Sequence, residues 1–134
     1  MSNGNEYNGA CLAQAVTDLV HVPVEDMFAF FDKTRNFTVA EAAMYCLHHG
    51  CALIYLPKPV EDDNYAYAWR AMQRNTGFLI IRYKDSPVDH ALVIRNQIIF
   101  EPATKEIWVP RTSYETVGIG FITRIRSEER IKWI

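Results

Sequence analysis

The order of two hydrophobic periodicities along the chain is the feature that most restricts its fold. From Ala10 to about His49 apolar residues recur at helical spacing, whereas from Gly77 onward short runs of β-branched and aromatic residues alternate with turn signals. Helices followed by a meander of strands are typical of an α+β domain with an antiparallel sheet. We therefore expect a single α+β domain over residues 1–134, with N-terminal helices packed on a C-terminal antiparallel sheet.

The first helix is expected to begin at Ala10 and to be broken by Pro23. Its apolar face is expected to consist of Leu12, Val16, Leu19 and Val20. Thr17 and Asp18 fall outside that set at helical spacing, so we expect both side chains to point away from the core.

Two further helices are expected before residue 50. A short one opens with Glu25 and Asp26, whose negative charges suit the positive first turn of a helix. Another begins at Thr38, because a hydroxyl followed three residues later by Glu41 is a capping-box pattern. Gly50 is expected to end this helix, as glycine usually does.

The remainder of the chain is predicted to be mostly sheet. A strand at 51–56 and a helix at 62–73 lead into this region. A short helical turn is expected near 113–117. The further strands are expected at 77–83, 88–94, 97–101, 106–109 and 119–125.

Composition and charge exclude several classes of protein. The formal net charge is −2 and the basic residues are scattered, which argues against a nucleic-acid partner. The chain has neither the N-terminal pattern of a signal peptide nor an apolar run near the ~18 residues of a membrane span. The three cysteines, Cys11, Cys46 and Cys51, cannot all pair. We therefore expect reduced thiols in a cytoplasmic protein, with no membrane partner.

Cys11 is the first residue with a pattern that indicates chemistry. It lies near the start of the first helix, where the partial positive charge favours the thiolate, which is the nucleophilic form of cysteine. On a helical wheel it falls at the border between core and solvent, as a cleft residue does. The same position also suits a cysteine that is simply packed.

A second pattern brings an imidazole towards a carboxylate. If Arg95 and Asn96 form a two-residue hairpin loop, His90 faces Glu101 across neighbouring strands, with Cβ atoms about 4.5–5.5 Å apart. A carboxylate there orients the imidazole and stabilises its charged form. A slip of one residue would instead place His90 opposite Pro102. An exposed cross-strand ion pair without a catalytic role is the alternative interpretation.

The run from Cys46 to Cys51, which includes His48 and His49, superficially resembles a metal site. Structural zinc sites join two separated pairs of ligands, and here all four candidates crowd one helix end. We therefore expect packing and helix capping from this run, with no metal and no cofactor.

The order of these segments resembles the bacteriocin-processing peptidase domains, which are the double-glycine leader peptidases of ABC exporters, and their free-standing relatives. The resemblance implies a papain-like cysteine peptidase fold, a Cys-His-acid site and a peptide or protein substrate. In it, His90 matches the family histidine, and Glu101 stands where an aspartate before proline is usual. The likeness runs through Ala10-Cys-Leu-Ala13, Val22-Pro-Val-Glu25, Phe37-Thr-Val-Ala-Glu41, His90-Ala-Leu-Val-Ile94, Phe100-Glu-Pro-Ala103 and the segment from Pro110 to Gly120.

Two matches are open for the family's nucleophile. In the first, Cys11 is the nucleophile, Leu12 stands for the usual glycine, and Asn5 replaces the glutamine that helps to form the oxyanion hole. In the second, Cys11 falls on the family's second, non-catalytic cysteine. The nucleophile is then represented by Tyr7 or Asn8, and Asn8-Gly9 stands for the Cys-Gly pair.

Two functions follow from these patterns. The first is a cysteine peptidase that cleaves a peptide or isopeptide bond with Cys11, His90, Glu101 and Asn5. The second is a catalytically degenerate relative that uses the same cleft, or an aromatic surface, to bind and modulate another protein.

Overall fold

The computed structural model of the chain describes residues 10–58, 67, 70, 76–84, 88–109 and 114–125. Within them, three helices precede six strands, which confirms the expected mixture of helices and antiparallel sheet. None of the described helices is long and apolar enough to cross a membrane. The elements are α1 (Cys11–Val20), α2 (Val24–Phe31), α3 (Val39–His48), β1 (Cys51–Pro57), β2 (Gly77–Tyr83), β3 (Asp89–Arg95), β4 (Ile98–Phe100), β5 (Ile107–Trp108) and β6 (Tyr114–Arg124).

The start of α3 follows directly from its sequence. Thr38 Oγ1 accepts a hydrogen bond from the Glu41 N–H at 3.1 Å, and Glu41 Oε1 accepts one from the Thr38 N–H at 2.9 Å. The predicted capping box is thereby confirmed. Gly50 follows the helix at a positive φ of 75°, a conformation that glycine adopts without steric cost.

The six strands form one antiparallel sheet in the order β1-β6-β2-β3-β4-β5. Helix α1 packs mainly against β3, and α3 packs against β1. Alternate residues of the central strands therefore enter two cores, one under the helices and one on the opposite face. The helix-side core includes Leu12, Val16, Tyr45, Phe78 and Val93, and the opposite core includes Leu79, Leu92, Ile94, Ile99 and Trp108.

Strand β6 begins earlier than predicted, so the expected helical turn near 113–117 is wrong. From Tyr114 the backbone pairs with β2, where Tyr114 lies opposite Tyr83 and Thr116 lies opposite Ile81. Tyr114 and Thr116 are buried whereas Glu115 is exposed, which is the alternation of a half-buried strand. Tertiary pairing with β2 thus decides the conformation of this segment.

The β3–β4 hairpin has a different register from the predicted one. Ile94 pairs with Ile99, and the turn consists of Asn96 and Gln97, with φ values of 53° and 66°. A two-residue turn with two positive φ angles favours Asn over Arg at its first position. The predicted loop at Arg95 and Asn96 is therefore wrong, and the pairing of β3 with β4 differs from the predicted one by two residues: Ile94 lies opposite Ile99 instead of Gln97. Such a slip leaves every side chain on its predicted face.

The predicted helix over 62–73 lies outside the described residues except for Tyr67 and Arg70, both of which are helical. The Tyr67 hydroxyl donates a hydrogen bond to the carbonyl of Leu56 on β1 at 3.4 Å.

Candidate active site

Cys11 is the first residue of α1, and its side chain faces the beginning of β3. The Ala91 N–H donates a hydrogen bond to Cys11 Sγ at 3.4 Å. Contact with the Asp89 carbonyl is longer, at 4.0 Å. A backbone donor and the positive end of the helix dipole both stabilise negative charge on sulfur. The apolar face of α1 fixes this arrangement, because it packs the helix onto β2 and β3.

His90, the second residue of β3, lies between Cys11 and Glu101. Its Nε2 is 2.5 Å from Glu101 Oε2, and the Cys11 side chain lines the same cleft, close enough to raise the pKa of the ring. Since Nε2 is engaged by the carboxylate, Nδ1 is the nitrogen left for the sulfur. The structure therefore brings together three of the four residues that the sequence predicts for a Cys-His-acid site.

Glu101 is held by a turn rather than by the sheet, because β4 ends one residue earlier at Phe100. The Lys105 N–H donates to the Glu101 carbonyl at 2.7 Å, and the Glu101 N–H donates to the Glu106 carbonyl at 2.8 Å. The second carboxylate oxygen, Oε1, accepts a hydrogen bond from the Ala103 N–H at 3.2 Å. Both oxygens are thus engaged, which fixes the orientation of the carboxylate towards the imidazole.

The electrostatics of His90 and Glu101 favour the charged form of both side chains. Burial alone would lower the pKa of His90, but hydrogen bonds to Cys11 and Glu101, together with their charges, raise it to about 10. Burial would raise the pKa of Glu101, but the hydrogen bond and charge of His90 and the Ala103 N–H hold it below its usual range. The arrangement therefore suits an imidazolium held against an ionised carboxylate.

A cleft of about 340 Å³ opens beside Cys11 and His90. Its remaining walls are mostly apolar, which is typical of a site that takes up a side chain. Its polar edge includes Asp89, whose carboxylate Oδ1 is 2.7 Å from Arg82 Nε. The apolar walls are formed by Leu12, Phe37, Val39, Tyr55, Ile80 and Val88.

The other two cysteines lie in different surroundings. Cys46 and Cys51 are buried in the helix-side core, and both are free thiols. Burial, with a smaller contribution from Cys51, raises the pKa of Cys46 to about 12, so this thiol is not a nucleophile at neutral pH.

Among the described residues no group of three or more His, Cys, Asp or Glu side chains is placed to hold a metal ion. His49 instead caps α3, and its Nε2 lies 3.3 Å from Asp26 Oδ2. Asp26 also accepts a short hydrogen bond from the buried Tyr45 hydroxyl. The hydrogen bond from Tyr45 is the largest cause that lowers the pKa of Asp26.

Asn5 and Asn8 lie outside the described residues, so the oxyanion role of Asn5 and the alternative nucleophile position both remain predictions. Sequence reasoning also missed one feature near the site. Thr17 is buried and donates a hydrogen bond to the Ala13 carbonyl at 2.7 Å, and the Asp18 side chain is only 19% exposed, so neither points away from the core. The strands that face α1 determine the burial of Thr17 and Asp18, and a helical wheel does not take those strands into account.

Comparison with known proteins does not assign the chain to a family. No protein-family model matches the chain, and no curated protein matches it. The chemistry of the site is therefore argued from its own geometry: a thiol at a helix N-terminus, an imidazole beside it, and a carboxylate that orients the imidazole.

Proposed function

We propose that this protein is a cysteine peptidase of papain-like fold that cleaves a peptide or isopeptide bond. The observation that carries the proposal is that Cys11, at the N-terminus of α1, shares one cleft with His90, whose Nε2 is 2.5 Å from Glu101 Oε2. A nucleophile, a base and a group that orients the base define such a site by geometry and role. The assignment to the bacteriocin-processing type rests on the sequence resemblance.

In the first half of the reaction, the Cys11 thiolate attacks the substrate carbonyl carbon and forms a C–S bond. The negative charge moves to the carbonyl oxygen. When the tetrahedral intermediate collapses, the C–N bond breaks, and the His90 imidazolium donates its proton to the leaving amine. The products are a free amine and a thioester on Cys11, with a neutral His90.

In the second half, neutral His90 takes a proton from water, and the resulting hydroxide attacks the thioester carbonyl. The C–S bond breaks, Cys11 leaves as a thiolate, and the acid product departs. The starting thiolate–imidazolium pair is restored. Glu101 neither gains nor loses a proton in either half, because the role of its carboxylate is to orient the His90 ring and stabilise the positive charge of the imidazolium.

The oxyanion formed in both halves needs hydrogen-bond donors. The first intrahelical bond of α1 runs from the Gln14 N–H to the Ala10 carbonyl, at 2.9 Å, so the amides of Cys11 to Ala13 precede the helical ladder. These amides lie at the positive end of the helix and favour an anion there. The resemblance implies a second donor from the Asn5 amide.

The order of the elements supports the papain-like assignment. The nucleophile begins a helix, the imidazole lies on the strand that this helix packs against, and the acid follows the next strand. Cys11, His90 and Glu101 therefore meet where one helix end, one strand and one turn converge. The apolar cleft beside them suits a substrate with a bulky apolar side chain near the scissile bond.

A peptide-library experiment tests the proposal. The wild-type chain is incubated under reducing conditions with a proteome-derived peptide library, and new termini are identified by mass spectrometry. We expect sequence-selective cleavage by the wild type and by Cys51→Ala, and none by Cys11→Ala. Cleavage that persists in Cys11→Ala would exclude Cys11 as the nucleophile. If folded wild type cleaves nothing and Cys11 shows no enhanced reactivity, the chain is instead the degenerate, partner-binding relative.

A further inference from the structure

The turn that carries Glu101 is fastened to the same helix that carries the nucleophile. Lys105 closes this turn and has a φ of 66°, a left-handed conformation that is unfavourable for residues with a side chain. Its ammonium Nζ lies 2.8 Å from Asp18 Oδ1 on α1. A lysine rather than a glycine at such a position points to a role for its side chain.

Asp18 also contacts the end of β3. Its Oδ2 is 3.0 Å from Arg95 Nη2, an ion pair without hydrogen-bond geometry, and the same nitrogen donates a hydrogen bond to the Asp18 carbonyl at 2.9 Å. Both cations lie over the Phe100 ring, Arg95 at 5.8 Å and Lys105 at 5.7 Å from its centroid. One partly buried carboxylate thus joins α1, β3 and the Glu101 turn.

The spacing along α1 makes this attachment relevant to the site. Asp18 follows Cys11 by seven residues, which is about two helical turns and a rise of about 10 Å on nearly the same face. Cys11 contacts the start of β3 and Asp18 contacts its end, so α1 is fixed at both ends of the strand that carries His90. Through Lys105, the second attachment also holds the turn in which Glu101 meets His90.

From this geometry we infer that Asp18 is a positioning residue, which acts through Lys105 to hold Glu101 against His90. The inference rests on the proposed function, since it concerns the orientation of the proposed acid. Asp18 itself contacts neither His90 nor Cys11 in any hydrogen bond or ion pair of the described residues. Within the described part of the chain, the titratable groups that act on His90 are Cys11 from α1 and Glu101 from the turn.

Two charge-removing variants separate positioning from simple electrostatics. Loss of the Lys105 cation in Lys105→Met would by itself raise the pKa of His90, whereas loss of the Asp18 anion in Asp18→Asn would by itself lower it. A positioning role predicts a decrease in both, because either change frees the turn and weakens the contact between His90 and Glu101. Simple electrostatics therefore predicts shifts of opposite sign in the pKa of His90 for the two variants, whereas positioning predicts shifts of the same sign.

The measurement is a proton-NMR titration of the His90 ring, assigned by its absence in His90→Gln. We expect its pKa to fall by about one unit or more in Asp18→Asn and in Lys105→Met. Lys105→Arg, which keeps the ion pair, should restore the wild-type value. Lys33→Met is the matched control, because it removes another ion pair of 2.8 Å, between Lys33 and Glu41, away from the turn.

Shifts of opposite sign, or no shift in either variant, would overturn the positioning role while leaving the proposed peptidase intact. Amide spectra recorded in parallel show that each variant is folded before its titration is interpreted. The alkylation rate of Cys11 in the wild type tests the proposed function separately. An inert Cys11 would remove that function and the positioning role with it.

Discussion

Glu101 meets His90 diagonally across the end of the β3–β4 hairpin. The ladder pairs Val93 with Phe100, and one further step would place Glu101 opposite Leu92, two residues from His90. The carboxylate nevertheless reaches Nε2 at 2.5 Å, because the chain leaves the strand at this point and turns. Diagonal neighbours about 7–8 Å apart at the backbone are within reach of a long side chain. The extra methylene of glutamate over aspartate suits this geometry.

The charge of Glu101 can be separated from its hydrogen bond. In Glu101→Gln an amide oxygen still accepts from Nε2–H, so we expect cleavage to fall by about tenfold or less. In Glu101→Leu the imidazole loses its partner, and we expect a loss of about 10²-fold or more. Both variants should lower the pKa of His90, Glu101→Leu the more strongly. Equal activity of wild type and Glu101→Leu would remove Glu101 from the site.

The stability of the fold should depend on pH through His90 and Glu101. The folded-state pKa of His90 is raised from 6.5 to about 10, so its contribution is complete below about pH 6.5 and is lost as pH rises towards 10. The pKa of Glu101 is lowered from 4.5, so its contribution is present above pH 4.5 and is lost in acid. Urea unfolding of wild type and His90→Gln should therefore differ most between about pH 5 and 6.5. A difference that grows towards pH 10 would contradict this.

Gly77 and Gly120 allow β2 and β6 to approach closely. A Cβ on Gly77 would lie 1.8 Å from the Gly120 carbonyl oxygen, and one on Gly120 would lie 2.3 Å from the Phe78 ring. We expect Gly77→Ala to destabilise the fold by about 3 kcal/mol or more and Gly120→Ala by about 1–3 kcal/mol, because a ring moves more easily than backbone. Chemical denaturation measures both. Gly77→Ala as stable as wild type would contradict the β2–β6 pairing.

Tyr45→Phe tests the contact between α2 and α3. Tyr45 is fully buried and its hydroxyl donates to Asp26, so the variant should unfold at a lower urea concentration than the wild type. Neither residue lines the cleft beside Cys11, so cleavage by the folded variant should be unchanged. A loss of cleavage without a loss of stability would indicate that this pair serves the site.

Local signals predicted the features that depend on local chemistry. The capping box at Thr38, the glycine after α3 and the antiparallel character of the sheet follow from neighbouring residues. The register of β3 and β4 was wrong because the positive φ angles fall on Asn96 and Gln97, which periodicity does not reveal. The contact between His90 and Glu101 still formed, since a slip of two residues preserves the face.

Long-range contacts explain what the sequence could not predict. Asp18 finds Lys105 and Arg95 from elements 77 or more positions away in the chain, which no helical wheel includes. Tyr114 is part of a strand because it pairs with Tyr83 of β2, although the residues next to it in sequence predicted a helical turn. Residues that act through tertiary partners therefore appear only when the strands are in place.

The measurement that tests the central claim most directly is the rate of iodoacetamide alkylation at each cysteine against pH, read by mass spectrometry on the folded protein. A thiolate–imidazolium pair predicts that Cys11 reacts at pH 7 about tenfold or more faster in the wild type than in His90→Ala. In His90→Ala the alkylation rate should rise with pH around the pKa of an ordinary thiol, ~8.5. Buried Cys46 should react slowly in both. If Cys11 in the wild type reacts no faster than in His90→Ala, the pair does not exist and the peptidase assignment is wrong.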